Sequence, residues 1–208
     1  MSGVAALIVA SVFVTFEGLD GSGKSTQAEL LAEALRGDGR DVVLTREPGG
    51  TELGEQIRSL LLHSNHVSPW AEATLFAAAR AELVERVIAP ALAGGKDVVC
   101  DRYIDSSLAY QGMARNLGVS RILELNLHAT GGLLPDRTFL VLVEPDVARE
   151  RTDPSDRIER EGDDFARTVD EAYRGLAEMF PNRIVTVDGT QPADRLAEEI
   201  HGRVRELS

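Results

Sequence analysis

The sequence is poor in cysteine and in lysine. The first shortage bears on the redox compartment of the protein, and the second singles out one lysine. Cys100 is the single cysteine among 208 residues, so no internal disulfide can form, and we expect a reducing compartment, the cytoplasm. Cys100 lies in an apolar run, where a buried strand residue is expected. Only two of the 22 basic residues are lysines, and one of these, Lys24, lies in the strongest motif of the chain.

The sequence also lacks a basic surplus and a long apolar run. The net charge of −12 argues against a general binder of nucleic acid or of anionic membranes, because both partners need a large basic surface. A small phosphate ligand needs only a local cluster of cations. No segment approaches the ~20 apolar residues of a membrane span, and the apolar residues 1–11 carry no positive region typical of a signal peptide. At this length we expect a single domain, residues 1–208.

Short apolar runs alternate with helical patterns along the chain. The runs are rich in Val, Leu and Ile and begin at Val12, Val42, Val98, Thr138 and Ile184. Continuous apolar runs of this kind are typical of buried parallel strands. Apolar residues at helical spacing fill the intervals, and in the last predicted helix Leu196, Ile200 and Val204 lie on one face. We therefore predict an α/β fold with a five-stranded parallel sheet flanked by helices.

The turn after the first predicted strand carries a phosphate-binding pattern. Residues 18–25 match G-x-x-x-x-G-K-S/T between a predicted strand and a predicted helix. Glycines let backbone N–H groups converge on phosphate oxygens, and the helix N-terminus adds its positive dipole end. Lys24 can reach the β- and γ-phosphates, and the Ser25 hydroxyl can ligate Mg²⁺. We predict ATP and Mg²⁺ as cofactors, with ATP bound by Gly18, Leu19, Asp20, Gly21, Ser22, Gly23, Lys24, Ser25 and Thr26.

Charged residues follow the next strands as well. Asp101 ends the third predicted strand, where it can hold Mg²⁺ through water, although capping the following helix is an alternative role. Arg102 comes next and is a candidate clamp for a second anion. Arg46 follows the second strand and offers a planar fork of donors to a phosphate, while a strand-end arginine alone is usually a surface residue. Together with Lys24, these arginines predict three cations at one edge of the sheet, which suits two phosphorylated ligands meeting end to end.

Two helical faces could hold a base. Phe76 and Arg80 are four positions apart and share a face, so the ring could stack on a base while the arginine binds its exocyclic oxygen. On spacing alone, a core phenylalanine beside a solvated arginine is the favoured alternative. Ser107, Tyr110 and Gln111 also share a face if the segment after residue 105 is helical, and they could line a polar pocket.

Taken together, these stretches resemble the thymidylate kinase family, of the bacterial kind, over nearly the whole chain. The resemblance is carried by FEGLDGSGKST (16–26), TREPGGTELGEQIR (45–58), LFAAARAELV (75–84), CDRYIDSSLAYQG (100–112), PDRTFLVLVEP (135–145) and DRIERE (156–161). It implies a P-loop kinase fold and transfer of the ATP γ-phosphate to dTMP, giving dTDP and ADP in dTTP biosynthesis. It also implies a homodimer, with no nucleic-acid or membrane partner.

The resemblance implies a role for each candidate residue. In the family, the residues matching Arg46 and Arg102 bind the phosphate of the acceptor. Those matching Phe76 and Arg80 stack on thymine and bond a thymine carbonyl. Ser107 and Gln111 match residues around the base, and Tyr110 matches the residue that crowds the 2′ position. The resemblance places Ser25 and Asp101 at the Mg²⁺ ion. It places Asp20 near the sugar of the acceptor. The predicted catalytic residues are Asp20, Lys24, Arg46, Arg102, Arg151 and Arg157.

The last two arginines belong to a predicted lid. The polar stretch 152–164 contains almost no apolar residue and predicts either a surface loop or a lid, about residues 149–164, that closes over a substrate. Gly21 stands where some members of the family place an arginine, and no arginine lies between residues 18 and 34. We therefore expect Arg151 or Arg157 to supply the transition-state cation.

Other functions remain open on the sequence alone. A related nucleotide kinase could act on dUMP, on a dinucleotide precursor or on a deoxynucleoside, and a protein of this class could bind ATP without transferring phosphate. A P-loop GTPase switch would need an Asn-Lys-x-Asp segment to read guanine, and the sequence contains none.

Overall fold

Five short strands with apolar sequences pair side by side in one parallel sheet. The computed structural model describes residues 11–152 and 157–207. Its strands are β1 (Phe13–Glu17), β2 (Val42–Arg46), β3 (Asp97–Asp101), β4 (Arg137–Leu142) and β5 (Ile184–Asp188), in the order β2-β3-β1-β4-β5. The predicted α/β fold is confirmed, and each strand matches its predicted run to within a residue or two.

Helices connect the strands and cover the sheet. They are α1 (Lys24–Gly37), α2 (Glu52–His63), α3 (Pro69–Leu83), α4 (Ala89–Ala93), α5 (Ile104–Ser107), α6 (Val119–Ala129), α7 (Pro145–Glu150), α8 (Asp163–Met179) and α9 (Ala193–Arg205). A π-helical turn, Val84–Ile88, joins α3 to α4, and a second π-helical segment, Leu108–Ala114, continues α5. Such wide turns are frequent at functional sites because they shift the direction of neighbouring side chains.

The strand register brings three loops to one edge of the sheet. Asp101, at the end of β3, is opposite Phe16 of β1 and Arg46 of β2. In parallel sheets of this type the crevice beyond the carboxyl ends of the strands is the usual place for a ligand. The segments after β1, β2 and β3 are the ones that the sequence marked for phosphate binding.

Apolar side chains pack on both faces of the sheet. On one face Leu31 and Leu35 of α1 meet Leu196, Ile200 and Val204 of α9, all fully or almost fully buried. The 3.6-residue periodicity of the last helix therefore predicted its buried side correctly. Cys100 is also fully buried in its strand, as expected. Within the described residues no helix is long and apolar enough to cross a membrane.

Candidate functional site

The loop between β1 and α1 has the geometry of an anion cradle. Gly23 precedes α1 with a φ of 93°, a left-handed conformation that side-chain-bearing residues rarely adopt. A Cβ added there would meet nothing within 4 Å, so open space lies over the start of the helix. Among the described residues no side chain caps the first turn of α1. The free N–H groups and the helix dipole are therefore available to a phosphate.

Lys24 and Arg102 meet on one carboxylate oxygen. The Lys24 ammonium and the Arg102 guanidinium each lie 2.8 Å from Oδ1 of Asp20. Burial alone raises the pKa of Asp20, but the charges of Arg102 and Lys24 outweigh it and hold that pKa well below its usual range. Burial, together with the charge of Arg102, lowers the pKa of Lys24, while Asp20 opposes the shift. Two cations and one anion thus lie together where a second anion would be attracted.

Arg102 is held by a buried scaffold. Its backbone is left-handed, with a φ of 67°, and its guanidinium donates to Ser106 Oγ and to the Tyr173 hydroxyl, at 3.1 Å each. The same group lies 5.5 Å from the centre of the Tyr110 ring. These contacts, together with that to Asp20, fix the direction of the guanidinium, and the surrounding acidic groups raise its pKa despite burial.

A fully buried carboxylate supports this scaffold from behind. Glu17, the last residue of β1, accepts hydrogen bonds from the Tyr173 hydroxyl at 2.9 Å, from Ser106 Oγ at 2.5 Å and from the Tyr103 amide at 2.8 Å. Burial and the nearby charge of Asp105 raise the pKa of Glu17, and Arg102 opposes the shift. Because its donors come from two separate segments, Glu17 of β1 is tied both to the residues after β3 and to α8.

Ser25 and Asp101 present hard oxygen atoms at the mouth of the cradle. The Ser25 hydroxyl donates to Asp101 Oδ2 at 2.5 Å. The other oxygen, Oδ1, is buried and has no hydrogen-bond partner within the described parts of the chain. Hydroxyl and carboxylate oxygens, completed by waters, are the donors that Mg²⁺ takes at nucleotide sites. The two residues therefore fit the predicted magnesium position.

A cavity of about 350 Å³, the Phe76 cavity, opens beside Asp20 and Arg102. It also brings together the aromatic and polar residues predicted for a base, namely Phe76, Ser107, Tyr110 and Gln111. A second cavity of about 260 Å³, the Phe165 cavity, adjoins it and shares Asp20, Tyr110 and Ile158. The predicted polar helical face therefore does line a pocket, although from Leu108 onward the segment is π-helical.

Arg80 is placed differently from its predicted role. It is buried behind the Phe76 cavity rather than lining it. Its N–H groups donate to Glu47, Ser107, Asn126 and the main-chain carbonyl of Tyr103. The guanidinium thus makes four hydrogen bonds, and its Nη2 also forms an ion pair with Glu47 at 2.6 Å. In this arrangement Arg80 supports Ser107, which itself faces the cavity, rather than offering a donor of its own.

Arg46 also lies apart from the other predicted cations. Its guanidinium contacts Glu55 at 3.0 Å, and both side chains are about half exposed. The two residues line a separate open groove together with Ser25 and Asp101. Lys24 and Arg102 therefore meet as predicted, whereas Arg46 points toward α2 in this conformation.

In the described parts of the lid the two candidate arginines, Arg151 and Arg157, contact different parts of the protein. Residues 153–156 of the predicted lid lie outside the described residues. Arg151 donates to the carbonyl of Gly189 at 3.3 Å, and Gly189 packs closely on the Ser22 carbonyl of the phosphate loop. Arg157 instead donates to Glu72 at 2.6 Å and to the Leu61 carbonyl. Arg151 is therefore the one next to the phosphate loop.

Gly21 has a packing reason to lack a side chain. A Cβ built on it would approach the Ala148 carbonyl to 2.1 Å and Thr152 to 3.2 Å. The start of the lid thus occupies the space that an arginine at position 21 would need. This observation agrees with the expectation that a catalytic arginine comes from another segment.

Some site residues escaped the sequence analysis. Arg58 lines the Phe76 cavity and donates to the Pro48 carbonyl. The available signal was its position in α2 one helical turn after Gly54, where an added Cβ would approach the Gly49 carbonyl to 2.7 Å. Glu47 also lines the cavity, and burial raises its pKa to about 7 against the pull of Arg80. No spacing rule relates Glu47 to Arg80, because they lie in different segments.

Comparison with known proteins agrees with this geometry. The family model described as thymidylate kinase matches residues 16–200. Thymidylate kinase of Clavibacter sepedonicus is 48% identical over 201 residues, covering 94% of this chain and 95% of that protein. The enzyme of Bifidobacterium longum is 46% identical over 203 residues, with 95% and 98% covered. The crystal structure of thymidylate kinase from Ehrlichia chaffeensis superposes with a TM-score of 0.78 at 34% identity, covering 96% of this chain and all of that one. The chain therefore belongs to the thymidylate kinase family.

Proposed function

We propose that this protein is a dTMP kinase, which transfers the γ-phosphate of ATP to dTMP and forms dTDP and ADP in dTTP biosynthesis. The observation that carries this function is the shared contact at Asp20. One of its oxygens binds both Lys24 of the phosphate loop and Arg102 at the rim of the Phe76 cavity. The donor cradle and the acceptor cavity therefore meet at a cationic centre, as transfer between two bound nucleotides requires.

The Phe76 cavity suits a pyrimidine base. Phe76 offers an aromatic face, and Ser107 and Gln111 offer polar groups for the base edge. The Ser107 oxygen already accepts from Arg80 at 3.0 Å, so its own hydrogen is free to donate to a base carbonyl. Tyr110 lines both cavities, which supports the proposal that its side chain crowds the 2′ position of the sugar. We therefore expect dTMP to be preferred over its ribose analogue.

Catalysis is expected to rest on charge rather than on a general base. The acceptor phosphate monoester has a second pKa near 6 and is already largely dianionic at neutral pH. Lys24 and Arg102 reduce the repulsion between the two phosphates and offset the charge on the transferring group. Ser25 and Asp101 would hold Mg²⁺, which would offset the negative charge of the ATP phosphates when bound.

Arg46 is proposed to join the acceptor phosphate after a side-chain rotation. Its present partner, Glu55, is about as exposed as Arg46 itself. Exposed ion pairs contribute only about 0–1 kcal/mol, so an incoming dianion can compete with Glu55 for the guanidinium. The backbone of Arg46 is already in place, since it pairs with Asp101 at the edge of the sheet.

Arg151 is the lid arginine that we propose as the transition-state cation. Its contact with the Gly189 carbonyl keeps it beside the phosphate loop, where the phosphates of ATP would bind. An arginine delivered to the transferring phosphoryl contributes roughly 10³–10⁵ in rate in related P-loop systems.

The remaining proposals concern the molecular setting. We propose one kinase domain over residues 1–208 that works in the cytoplasm as a homodimer. In α2 and α3 the side chains of Leu53, Leu60 and Trp70 are 46%, 54% and 45% exposed, and burial of such apolar groups would favour pairing of two chains. Sedimentation equilibrium tests the dimer, and a monomer at micromolar concentration would contradict it.

A coupled assay of ADP release tests the proposed activity. ATP and Mg²⁺ are supplied with dTMP, dUMP, the ribose analogue TMP, dAMP or GMP, one acceptor at a time. The highest kcat/KM is expected with dTMP, and the Lys24→Ala protein prepared in parallel measures contaminating kinases. Faster turnover of dAMP or GMP than of dTMP would show that the Phe76 cavity has been assigned to the wrong base.

A further inference from the structure

Glu72 is a buried carboxylate that the proposed chemistry does not use. It lies in α3 and is 1% exposed. It accepts hydrogen bonds from Gln111 Nε2 at 2.9 Å, from Arg157 Nη2 at 2.6 Å, and from Arg115 at 3.3 and 3.4 Å. Its donors therefore come from the wall of the Phe76 cavity (Gln111), from the residue that follows the second π-helical segment (Arg115) and from the lid (Arg157).

The contact with Glu72 determines which way the Gln111 amide faces. A carboxylate only accepts hydrogen bonds, so the atom of Gln111 that faces it must be the NH₂ group. The amide oxygen, Oε1, is thereby turned away from Glu72, and it has no hydrogen-bond partner elsewhere in the described residues. Gln111 lines the Phe76 cavity. The group that Gln111 leaves for a ligand is an acceptor.

We propose that Glu72 is a positioning residue for base selection, holding the Gln111 amide so that its oxygen accepts a hydrogen bond from the ring N–H of the acceptor base. Thymine and uracil carry an N–H at ring position 3, whereas cytosine carries a bare acceptor nitrogen there. A fixed acceptor in the cavity therefore favours dTMP over dCMP. This inference rests on the proposed dTMP kinase activity.

The Glu72 carboxylate also connects the base-binding residue Gln111 to the lid. Arg157, which is 13% exposed, reaches Glu72 from the lid, and its backbone N–H donates to the Leu62 carbonyl. Arg115 binds Glu72 on one side and Glu161 of the lid at 2.6 Å on the other. The two guanidinium groups compensate the charge of Glu72, whose side chain is buried beside Gln111.

The replacement Glu72→Gln tests the amide orientation. The new side chain carries one oxygen, which the two arginines occupy, and one NH₂ group, which is left facing Gln111. Gln111 then turns its oxygen toward residue 72 and its NH₂ group into the cavity, where that group can donate to the ring nitrogen of cytosine. The ratio of kcat/KM for dTMP to that for dCMP is expected to fall at least ~10-fold, because a polar group in the site is mismatched to the preferred base.

Two matched variants separate this effect from general damage. Glu161→Gln removes the lid partner of Arg115 without touching Gln111, and the dTMP/dCMP ratio should stay within about twofold of the wild-type value. Arg157→Met removes the contact of the lid with Glu72 but leaves the contact between Glu72 and Gln111. The dTMP/dCMP ratio of kcat/KM should therefore be kept even where kcat falls. If Glu72 had only a structural role, its replacement would lower kcat/KM for dTMP and for dCMP in proportion and leave their ratio unchanged.

A double variant covers the case in which Glu72→Gln does not fold. Glu72→Met with Arg157→Met replaces the buried ion pair by apolar side chains, a change that is often tolerated. It too removes the carboxylate that orients Gln111, so the same fall in the ratio is expected. An unchanged ratio in whichever folded variant lacks the carboxylate overturns the inference, whereas a wild-type protein that fails to phosphorylate dTMP overturns the proposed function instead.

Discussion

Replacing Tyr173 by phenylalanine removes one hydroxyl group from the support of Arg102. That hydroxyl donates to Glu17 at 2.9 Å and accepts from Arg102 at 3.1 Å. Hydrogen bonds to charged groups contribute about 1.5–3 kcal/mol each, which corresponds to roughly 10- to 150-fold in an equilibrium constant. Arg102 keeps its contacts with Ser106 and Asp20, so the lower end applies. We expect KM for dTMP to rise about tenfold, with KM for ATP within about twofold.

The coupled ADP-release assay measures both constants, and Tyr103→Phe provides a matched control. Tyr103 is equally buried, and its hydroxyl donates to the Leu133 carbonyl at 3.1 Å. Its loss should lower the free energy of unfolding by about 1 kcal/mol, as a neutral hydrogen bond does, and leave KM for dTMP unchanged. The reasoning is refuted if Tyr173→Phe keeps a normal KM for dTMP, or if both variants raise it equally.

Four further predictions concern single side chains. Lys24→Ala should lower kcat at least ~100-fold in the ADP-release assay, because a fixed cation on the β/γ-phosphates is lost; a smaller effect in folded protein contradicts its assignment. Asp101→Asn should raise the Mg²⁺ concentration for half-maximal rate about tenfold, with dTMP affinity by titration calorimetry unchanged. Arg151→Ala should lower kcat at least ~10-fold at constant dTMP affinity, and a near-normal kcat would exclude it as the transition-state cation. Glu47 binds its proton more tightly in the folded protein, with a pKa of about 7 against 4.5, so its ionisation costs stability as pH rises through that window. Urea unfolding at pH 5.5 and 8 should therefore show Glu47→Gln gaining about 2 kcal/mol relative to wild type at the higher pH, and equal differences at both pH values would contradict the shift.

Much of the fold was readable from the sequence because its signals are local. The five strands were predicted from continuous apolar runs, and α9 from the spacing of Leu196, Ile200 and Val204. Local signals fail where one element changes its pitch. The residues after Leu108 are π-helical, a change that no apolar period announces.

The candidate site divides along the same line. The glycine pattern and the Lys-Ser pair marked the phosphate loop because a helix N-terminus must follow them directly in the chain. The proximity of Lys24 and Arg102 also followed, since the carboxyl ends of adjacent parallel strands share one edge, whereas Arg46, the third cation predicted there, contacts Glu55 instead. The pair Phe76 and Arg80 shows the limit of spacing, because residues four apart share a helix face without sharing partners. Phe76 faces the cavity, while Arg80 is taken up by groups from other segments.

By itself, the sequence determined the order of the elements, the phosphate loop and the family to which the chain belongs. The tertiary structure alone decided which polar and charged groups of distant segments meet. Glu17 and Tyr173 meet across 156 positions of the chain, and Glu72 and Arg157 across 85. The physical reason is that an arginine or carboxylate finds its partner by distance and burial in the folded chain, where desolvation penalises every unpaired charge. Residue spacing relates only side chains within one helix or strand, and these pairs join separate ones.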